Sequence, residues 1–106
     1  MSVQKQYLKS KPKCKVKFRV SRAEVGSVDA VSLVGSFNDW DRSATPMSAL
    51  KSGDFTATLY LDLDQSYEFR YLLDGAVWVS DENADGLIPT PYPETLNSVV
   101  STAATA

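Results

Sequence analysis

A regular alternation of basic and apolar residues near the N-terminus constrains the fold of this chain more than any other feature. Basic residues stand at every second position over residues 9–19, and apolar residues fill the alternate positions over residues 14–20. The basic set is Lys9, Lys11, Lys13, Lys15, Lys17 and Arg19, and the apolar set is Cys14, Val16, Phe18 and Val20. Because successive side chains of a β-strand point to opposite faces, this pattern predicts a half-buried strand with one charged face.

Further strands follow at short intervals along the chain. Runs of β-branched, aromatic or alternating apolar residues predict strands at 31–34, 55–61, 67–73, 77–80 and 95–100. Asp74-Gly75 predicts a tight hairpin turn, since glycine adopts the positive φ that such turns require. The segment 81–94 contains three prolines and is predicted to be a loop without strand pairing. Short strands at this spacing, with no clear helical period, predict an all-β fold of the β-sandwich type.

The length of 106 residues predicts one domain with a single hydrophobic core. We expect the domain at residues 14–100, after a basic segment at 1–13 and before a disordered tail of small residues at 101–106. The net charge of −2 conceals an asymmetry, because residues 1–22 contain eight of the eleven basic residues and no acidic residue. The chain therefore combines a basic N-terminal strip with an acidic remainder.

Composition excludes several classes of function. The chain has no histidine and one cysteine, which argues against a zinc site, a catalytic triad that uses histidine, and a disulfide framework. We therefore predict no metal, no cofactor, no catalytic residue and no enzymatic activity. The sequence has no run of about 18 apolar residues and no apolar stretch of the kind found in signal peptides. A soluble cytoplasmic protein is the expected class.

One segment is similar in sequence to a calcium-binding loop. Asp81-Glu82-Asn83-Ala84-Asp85-Gly86 matches the opening of an EF-hand loop, in which oxygen ligands alternate along the chain. The twelfth position of such a loop requires a bidentate glutamate and is Tyr92 here, and three prolines stand nearby. We interpret the segment as a cluster of polar turn residues.

Both tryptophans stand in polar, turn-rich sequence. Trp40 lies between Asp39 and Asp41, and Trp78 follows the predicted Asp74-Gly75 turn. A partly exposed indole with polar neighbours suits a sugar ring, because the C–H face of the sugar stacks on the aromatic plane while its hydroxyls form hydrogen bonds at the edge. This pattern indicates a carbohydrate-binding module.

Three motifs carry a closer resemblance. The sequences VSLVGSFNDWD, YEFRYLLDGAVW and TLNSVV occur in this order at residues 31–41, 67–78 and 95–100. In them the chain resembles the N-terminal early-set domain of isoamylases and branching enzymes, known as carbohydrate-binding module family 48. It is also similar to the glycogen-binding domain of the β subunit of AMP-activated protein kinase. The resemblance covers about residues 14–100 and implies an immunoglobulin-like sandwich that binds α-1,4-glucans such as glycogen and starch without cleaving them.

The resemblance also implies which residues contact sugar: the stacking tryptophans Trp40 and Trp78, the basic residue Arg70, and the C-terminal pair Thr95 and Asn97. The hairpin departs from the kinase-subunit pattern, because it has one more residue between glycine and tryptophan. The leucine that caps the ligand in that subunit falls near Pro93 here, within a longer loop. In the enzymes that carry this module the catalytic acids lie on a separate barrel, so the resemblance implies binding rather than catalysis, with a carbohydrate-active enzyme as a partner.

Other roles remain open for these residues. Trp40 also fits a residue that seals the end of the sandwich, and Trp78 also fits ordinary cross-strand packing. Arg70 also fits a solvated charge on a polar strand face. Thr95 and Asn97 are common residue types in edge strands and turns.

The basic strip allows a second class of function. A row of lysines fits a phosphate-rich polymer such as nucleic acid, but the strip lacks interleaved aromatic residues on which bases would stack. It also fits an acidic protein partner, in an interaction or regulatory module that keeps the fold and has lost sugar binding. We interpret the lysines first as residues that protect an edge strand from unwanted sheet pairing.

Overall fold

The computed structural model describes residues 1–8, 10–81, 83–90 and 96–103, which form two antiparallel β-sheets. In spatial order, sheet A consists of β1 (Ser2–Tyr7), β2 (Lys13–Val20), β5 (Phe55–Asp62) and β4 (Ser48–Ala49). Sheet B consists of β3 (Val31–Gly35), β6 (Ser66–Leu73), β9 (Leu96–Ser101) and β8 (Gly86–Pro89), and β7 (Val77–Val79) also pairs with β6.

Two short helical segments join strands. The helix α1 (Arg22–Val25) follows β2, and a 3-10 turn (Ser36–Asn38) follows β3. Neither was predicted, because segments of three or four residues are too short to produce a helical period in the sequence. No helix among the described residues is long and apolar enough to cross a membrane.

β6 is the central strand of sheet B. β3 pairs with residues 69–73 of β6 on one side. On the other side, β9 pairs with residues 66–69 and β7 pairs with residues 71–73. Because β7 and β9 follow one another along the same side of β6, their ends meet beside Arg70, the residue between the two pairings.

The two sheets pack through their inward-facing apolar residues. The fully buried members are Cys14, Val16, Phe18, Val20, Val31, Leu33, Phe69, Tyr71 and Val100. The Phe69 ring makes edge-on contacts with Phe18 and Tyr71 at centroid distances of 5.1 and 5.6 Å. Such pairs add about 0.5–1.5 kcal/mol each beyond the burial of their area. The predicted β-sandwich is confirmed, and the apolar face of the first predicted strand lies in its core.

The Asp74-Gly75 turn is confirmed in detail. Asp74 has φ 50° and Gly75 has φ 69°, and the Ala76 N–H donates to the Leu73 carbonyl oxygen at 3.0 Å. Two positive φ angles in succession match the right-handed twist of the flanking strands, which is why glycine is favoured here.

The ends of the domain differ from the prediction. Residues 1–13 were expected to be a basic segment outside the domain, but Ser2–Tyr7 forms β1 and pairs with β2 along its length. β1 is an edge strand whose side chains are mostly exposed, so no hydrophobic pattern marks it in the sequence. At the other end, Ser101 belongs to β9 and Thr102 is fully buried. Residues 104–106 of the predicted tail lie outside the described residues.

The proline-containing segment also differs from the prediction of an unpaired loop. Gly86–Pro89 forms β8, which pairs antiparallel with β9 at the edge of sheet B. Pro89 is the last residue of this strand, a position where a missing N–H is tolerated. Residue 82 and residues 91–95 of the segment lie outside the described residues.

The basic strand β2 is not an edge strand, which corrects the interpretation of its lysines as edge protection. β2 lies between β1 and β5 and pairs with both. Its charged side chains cover the outer face of sheet A, where Lys13 forms an ion pair with Asp62 and Arg19 Nη2 lies 2.7 Å from Asp54 Oδ2. Asp62 raises the pKa of Lys13, and hydrogen bonds from the Arg22 N–H and from Arg19 lower the pKa of Asp54. Part of the basic strip is therefore neutralised.

Candidate carbohydrate-binding site

The residues predicted to contact sugar meet on the outer face of sheet B. Phe69 and Tyr71 of β6 point into the core, so the intervening Arg70 lies on the outer face and is half-buried. Leu72 shares that face, and its cross-strand partner is Trp78 of β7. Because directly opposed residues of an antiparallel pair lie on the same face, the half-buried Trp78 is a near neighbour of Arg70.

Asn97 joins this face from β9. Its neighbour Ser98 is fully buried and pairs with Phe69, so Asn97 points to the opposite, outer side. Arg70 Nε donates a hydrogen bond to Asn97 Oδ1 at 2.6 Å, and Asn97 Nδ2 donates to Glu68 Oε1 at 3.2 Å. The amide thus bridges a guanidinium and a carboxylate on one strand face.

Glu68 is a member of this face that was not assigned to the site from sequence. It stands two residues before Arg70 on the same strand, so strand alternation alone places the two side chains on one face. The resulting polar chain presents both donors and acceptors at fixed positions beside Trp78. Sugar hydroxyls both donate and accept hydrogen bonds and require such a mixed set.

Asn38 holds the loop that carries Trp40. Its Oδ1 accepts from the Gly35 N–H at 3.0 Å, and its Nδ2 donates to a β3 carbonyl oxygen and to Thr45 Oγ1, both at 3.0 Å. These bonds tie the start of the loop to its end. A Cβ at Gly35 would lie 2.4 Å from the backbone oxygen of Glu68, so the strand end here accommodates only glycine.

Trp40 is turned outward by an unusual backbone conformation. Asp39 and Trp40 have φ angles of 56° and 58°, in the left-handed region that bulky residues rarely adopt. The Trp40 N–H donates to the Gly35 carbonyl oxygen at 2.9 Å, which fixes this geometry. The Trp40 residue is 39% exposed, as a platform for a flat ligand requires. Strained loop residues of this kind are frequent at binding sites.

Arg42 connects the Trp40 loop to Trp78. Its guanidinium carbon lies 5.5 Å from the centroid of the Trp78 ring, within the range of a cation–π contact. Backbone and side-chain hydrogen bonds from Ser43 hold the Asp41 carboxylate beside it and lower the pKa of Asp41. Among the described residues the two indoles are not in ring contact with each other. The loop nevertheless lies over the edge of the face that carries Trp78.

A buried hydrogen-bond network supports the end of β7 behind Trp78. Asp81 is fully buried, and its carboxylate accepts from the Tyr71 hydroxyl at 3.1 Å and from the Asn83 N–H at 2.9 Å. The Asp81 N–H donates to Ser98 Oγ at 2.6 Å. Burial and the neighbouring Asp81 carboxylate raise the pKa of Tyr71. The network anchors the segment after Trp78 to β6 and β9.

Two carboxylates of the calcium-like segment, Asp81 and Asp85, have separate partners, and Glu82 lies outside the described residues. Asp81 belongs to the buried network, whereas the Asp85 carboxylate accepts from Lys5 Nζ at 2.9 Å and from the Ser101 N–H at 2.7 Å. No cluster of three or more metal-ligating side chains occurs in the part of the chain that the structure describes. These aspartates act as structural acceptors for strands on both sheets.

A groove of about 530 Å³ opens beside Trp78. It is lined by Met1, Glu24, Trp78, Val79, Ser80, Asn83, Leu87 and Leu96. Leu87 and Leu96 are 40% and 39% exposed, so the groove offers apolar area next to the indole. Thr95 and Pro93, which the sequence placed near the ligand, lie outside the described residues, and the role of Thr95 stays a prediction.

Comparison with known protein families identifies the chain. The sequence profile of carbohydrate-binding module 48, the isoamylase N-terminal domain, matches residues 9–84. The chain belongs to this family. The module therefore has the immunoglobulin-like sandwich of its family and is a carbohydrate-binding protein in the general sense. A comparison with curated proteins found none that matches it. The matched region includes Trp40, Arg70 and Trp78, whereas Asn97 follows it.

Proposed function

We propose that the module binds α-1,4-linked glucans, such as glycogen, starch and malto-oligosaccharides, on the outer face of sheet B. The contacting residues in this proposal are Trp40, Arg70, Trp78, Thr95 and Asn97. The observation that supports it best is the hydrogen-bond chain from Arg70 through Asn97 to Glu68, which lies beside Trp78.

In the proposed mechanism, aromatic residues supply the affinity for the sugar and polar residues orient it. The indoles of Trp40 and Trp78 stack on the C–H faces of glucose rings, and this stacking supplies most of the affinity. Arg70 and Asn97 are held in place by their own hydrogen bond before the ligand arrives, so little side-chain entropy is lost on binding. Their remaining donors and acceptors orient the sugar hydroxyls.

The module binds glucan without cleaving it in this proposal. Its role is to hold itself, or a carbohydrate-active enzyme that it accompanies, on a glycogen or starch particle in the cytoplasm. Weak binding of single chains suits this role, because a polymer particle offers many chains at high local concentration.

Co-sedimentation with glycogen tests the proposal. The wild-type module should pellet with glycogen and be released by maltoheptaose, while Trp78→Ala should stay in the supernatant. Tyr7→Ala is the matched control, because Tyr7 is an aromatic residue that is 38% exposed on β1 of the other sheet. Equal loss of binding in both variants, or no binding of the wild type, would contradict the proposed site.

A second candidate function is docking of an acidic protein on the outer face of sheet A. Lys15 and Lys17 of β2 lie there opposite Gln6 and Gln4 of β1, beside a groove of about 370 Å³. Within the described ranges neither lysine forms an ion pair, unlike Lys13. Such docking would weaken steeply as salt is added, whereas stacking on indoles would not.

A further inference from the structure

Sheet A has an open edge along β5. β2 pairs with the whole of β5 on one side, but on the other side β4 pairs only with Phe55 and Thr56. The rest of that side, residues 57–62, has no strand partner in the part of the chain that the structure describes, but at its end the Asp62 carbonyl oxygen accepts from Thr102 Oγ1. The Asp54 carbonyl oxygen accepts from the Leu50 N–H on this side. Since alternate residues of a strand point the same way, Thr58 and Tyr60 direct their N–H and C=O groups outward.

Three other sheet edges, those of β3, β8 and β1, are protected. The edge of β3 is covered by segment 45–47, which exchanges backbone hydrogen bonds with it at 2.8 and 2.9 Å. β8 ends at Pro89, and β1 carries Lys5, whose ammonium reaches across to Asp85. Prolines, lysines and covering loops are the usual means of preventing edge-to-edge pairing. Segment 57–62, with the sequence ATLYLD, has none of these over its open side.

We propose that this edge pairs with the same edge of a second copy of the chain across a two-fold axis at Tyr60. The two four-stranded sheets would then form one continuous antiparallel sheet. Tyr60 would face Tyr60 of the second copy and exchange two backbone hydrogen bonds with it. Thr58 would pair with Asp62 of the second copy on the outer face, and Leu59 with Leu61 of the second copy on the inner face.

This register satisfies the constraints of the structure. Only residues 58–62 of each copy face one another, so β4 over Phe55 and Thr56 is not displaced. The residues whose backbone groups point outward are the ones that pair, as an antiparallel ladder requires. A groove of about 320 Å³ lies at the C-terminal end of β5; its lining includes Phe37, Tyr60, Leu61 and Tyr67.

A second copy suits the edge better than an unrelated strand. Under the two-fold axis the Tyr60 N–H meets a free carbonyl oxygen, and the Thr58 N–H meets the Asp62 carbonyl oxygen, which has a second lone pair beside its bond from Thr102 Oγ1. Apolar residues meet apolar residues, and no like charges face each other. Asp62 already pairs with Lys13 of its own sheet, so its charge is partly balanced. Tyr60, 59% exposed in the single copy, would be covered in the dimer. The inference does not depend on glucan binding.

Sedimentation equilibrium over a range of chain concentrations is the primary test. We expect a reversible dimer and, in hydrogen exchange, protection of the Thr58 and Tyr60 amides that increases with concentration. The Ala57 and Leu59 amides already pair with β2 and should not change. A chain that remains monomeric at every concentration, or a dimer that leaves these two amides unprotected, would overturn the proposal.

Variants locate the interface. Tyr60→Glu puts two like charges on the axis and should weaken dimerisation at least about tenfold. Gln4→Glu, the control, adds the same charge to an exposed β1 position on the same face and should have no effect. Tyr60→Cys should form a disulfide-linked dimer under mild oxidation while Gln4→Cys does not, because the native Cys14 is fully buried. Equal responses of the two positions would assign the dimer to another surface.

Discussion

The guanidinium carbon of Arg42 lies 5.5 Å from the centre of the Trp78 indole, so a charged side chain from the Trp40 loop covers part of the second tryptophan. An exposed contact of this kind contributes about 0.5–1 kcal/mol. A sugar that stacks on the same face of the indole must displace the guanidinium. Arg42 therefore competes with the ligand that we propose.

Replacing Arg42 by alanine should uncover Trp78 and strengthen glucan binding. We expect the Kd for maltoheptaose to fall by up to about fivefold. This factor corresponds to the energy of the contact between Arg42 and Trp78, which the sugar no longer has to break. Isothermal titration calorimetry measures this change, with Lys51→Ala as a control for the loss of one exposed positive charge. A clear weakening of binding in Arg42→Ala would instead assign the guanidinium as a hydrogen-bond donor to the sugar.

Removing the Asn97 amide should disconnect the polar chain of the site. Asn97→Ala leaves Arg70 and Glu68 without their shared partner. We expect glucan affinity to fall roughly tenfold, since one net hydrogen bond and the orientation of Arg70 are lost. Glu68→Gln, which keeps an acceptor oxygen for Asn97, should change affinity much less. An unchanged affinity in Asn97→Ala would separate Asn97 from the sugar site.

The elements that could be predicted from the sequence are the strands with one apolar and one polar face. β2 was predicted because one of its faces is charged and the other is in the core. β1 and β8 were missed because their side chains are mostly exposed, so no periodic apolar pattern distinguishes them from loops. The lysines of β2 were assigned to an edge because the partner strand β1 was not recognised.

The sequence motifs predicted individual residues of the candidate site but not the contacts between them. Arg70 and Asn97 are 27 positions apart, and their contact follows from the pairing of β6 with β9, which the sequence pattern does not specify. Arg42 contacts Trp78 because Asn38 folds the loop back over β3, and no local pattern encodes that path. Glu68 could have been assigned to the site from the sequence, because strand alternation places it on the same face as Arg70.

Alkaline pH should destabilise the module through Tyr71. Burial and the Asp81 carboxylate raise the folded-state pKa of Tyr71, so its protonated form stabilises the fold. That stability is complete below the unfolded-state pKa of about 10 and is lost as pH rises above it. Urea unfolding across this range should show the loss, and Tyr71→Phe should flatten the decline. The same variant should lower stability at neutral pH by about 1–3 kcal/mol, because Asp81 loses a buried donor.

Salt distinguishes the two candidate binding faces. Stacking on Trp40 and Trp78 involves no counterion release, so glucan affinity should change less than about threefold between roughly 50 and 300 mM salt. Lys15→Gln and Lys17→Gln, on the opposite sheet, should leave affinity unchanged. A steep salt dependence that these lysine variants abolish would place the ligand on sheet A.

The most direct test of the glucan site is titration of tryptophan fluorescence with maltoheptaose in the wild type, Trp40→Ala and Trp78→Ala. We expect a saturable change in the wild type and a loss of about 1–3 kcal/mol of binding energy in Trp40→Ala, as for other aromatic stacking platforms. Because Trp40 is 39% exposed, the same variant should lose less than about 1 kcal/mol of folding stability. The proposed site would be contradicted if maltoheptaose left the wild-type fluorescence unchanged and Trp40→Ala unfolded. Trp40 would then be a structural residue and not a sugar platform.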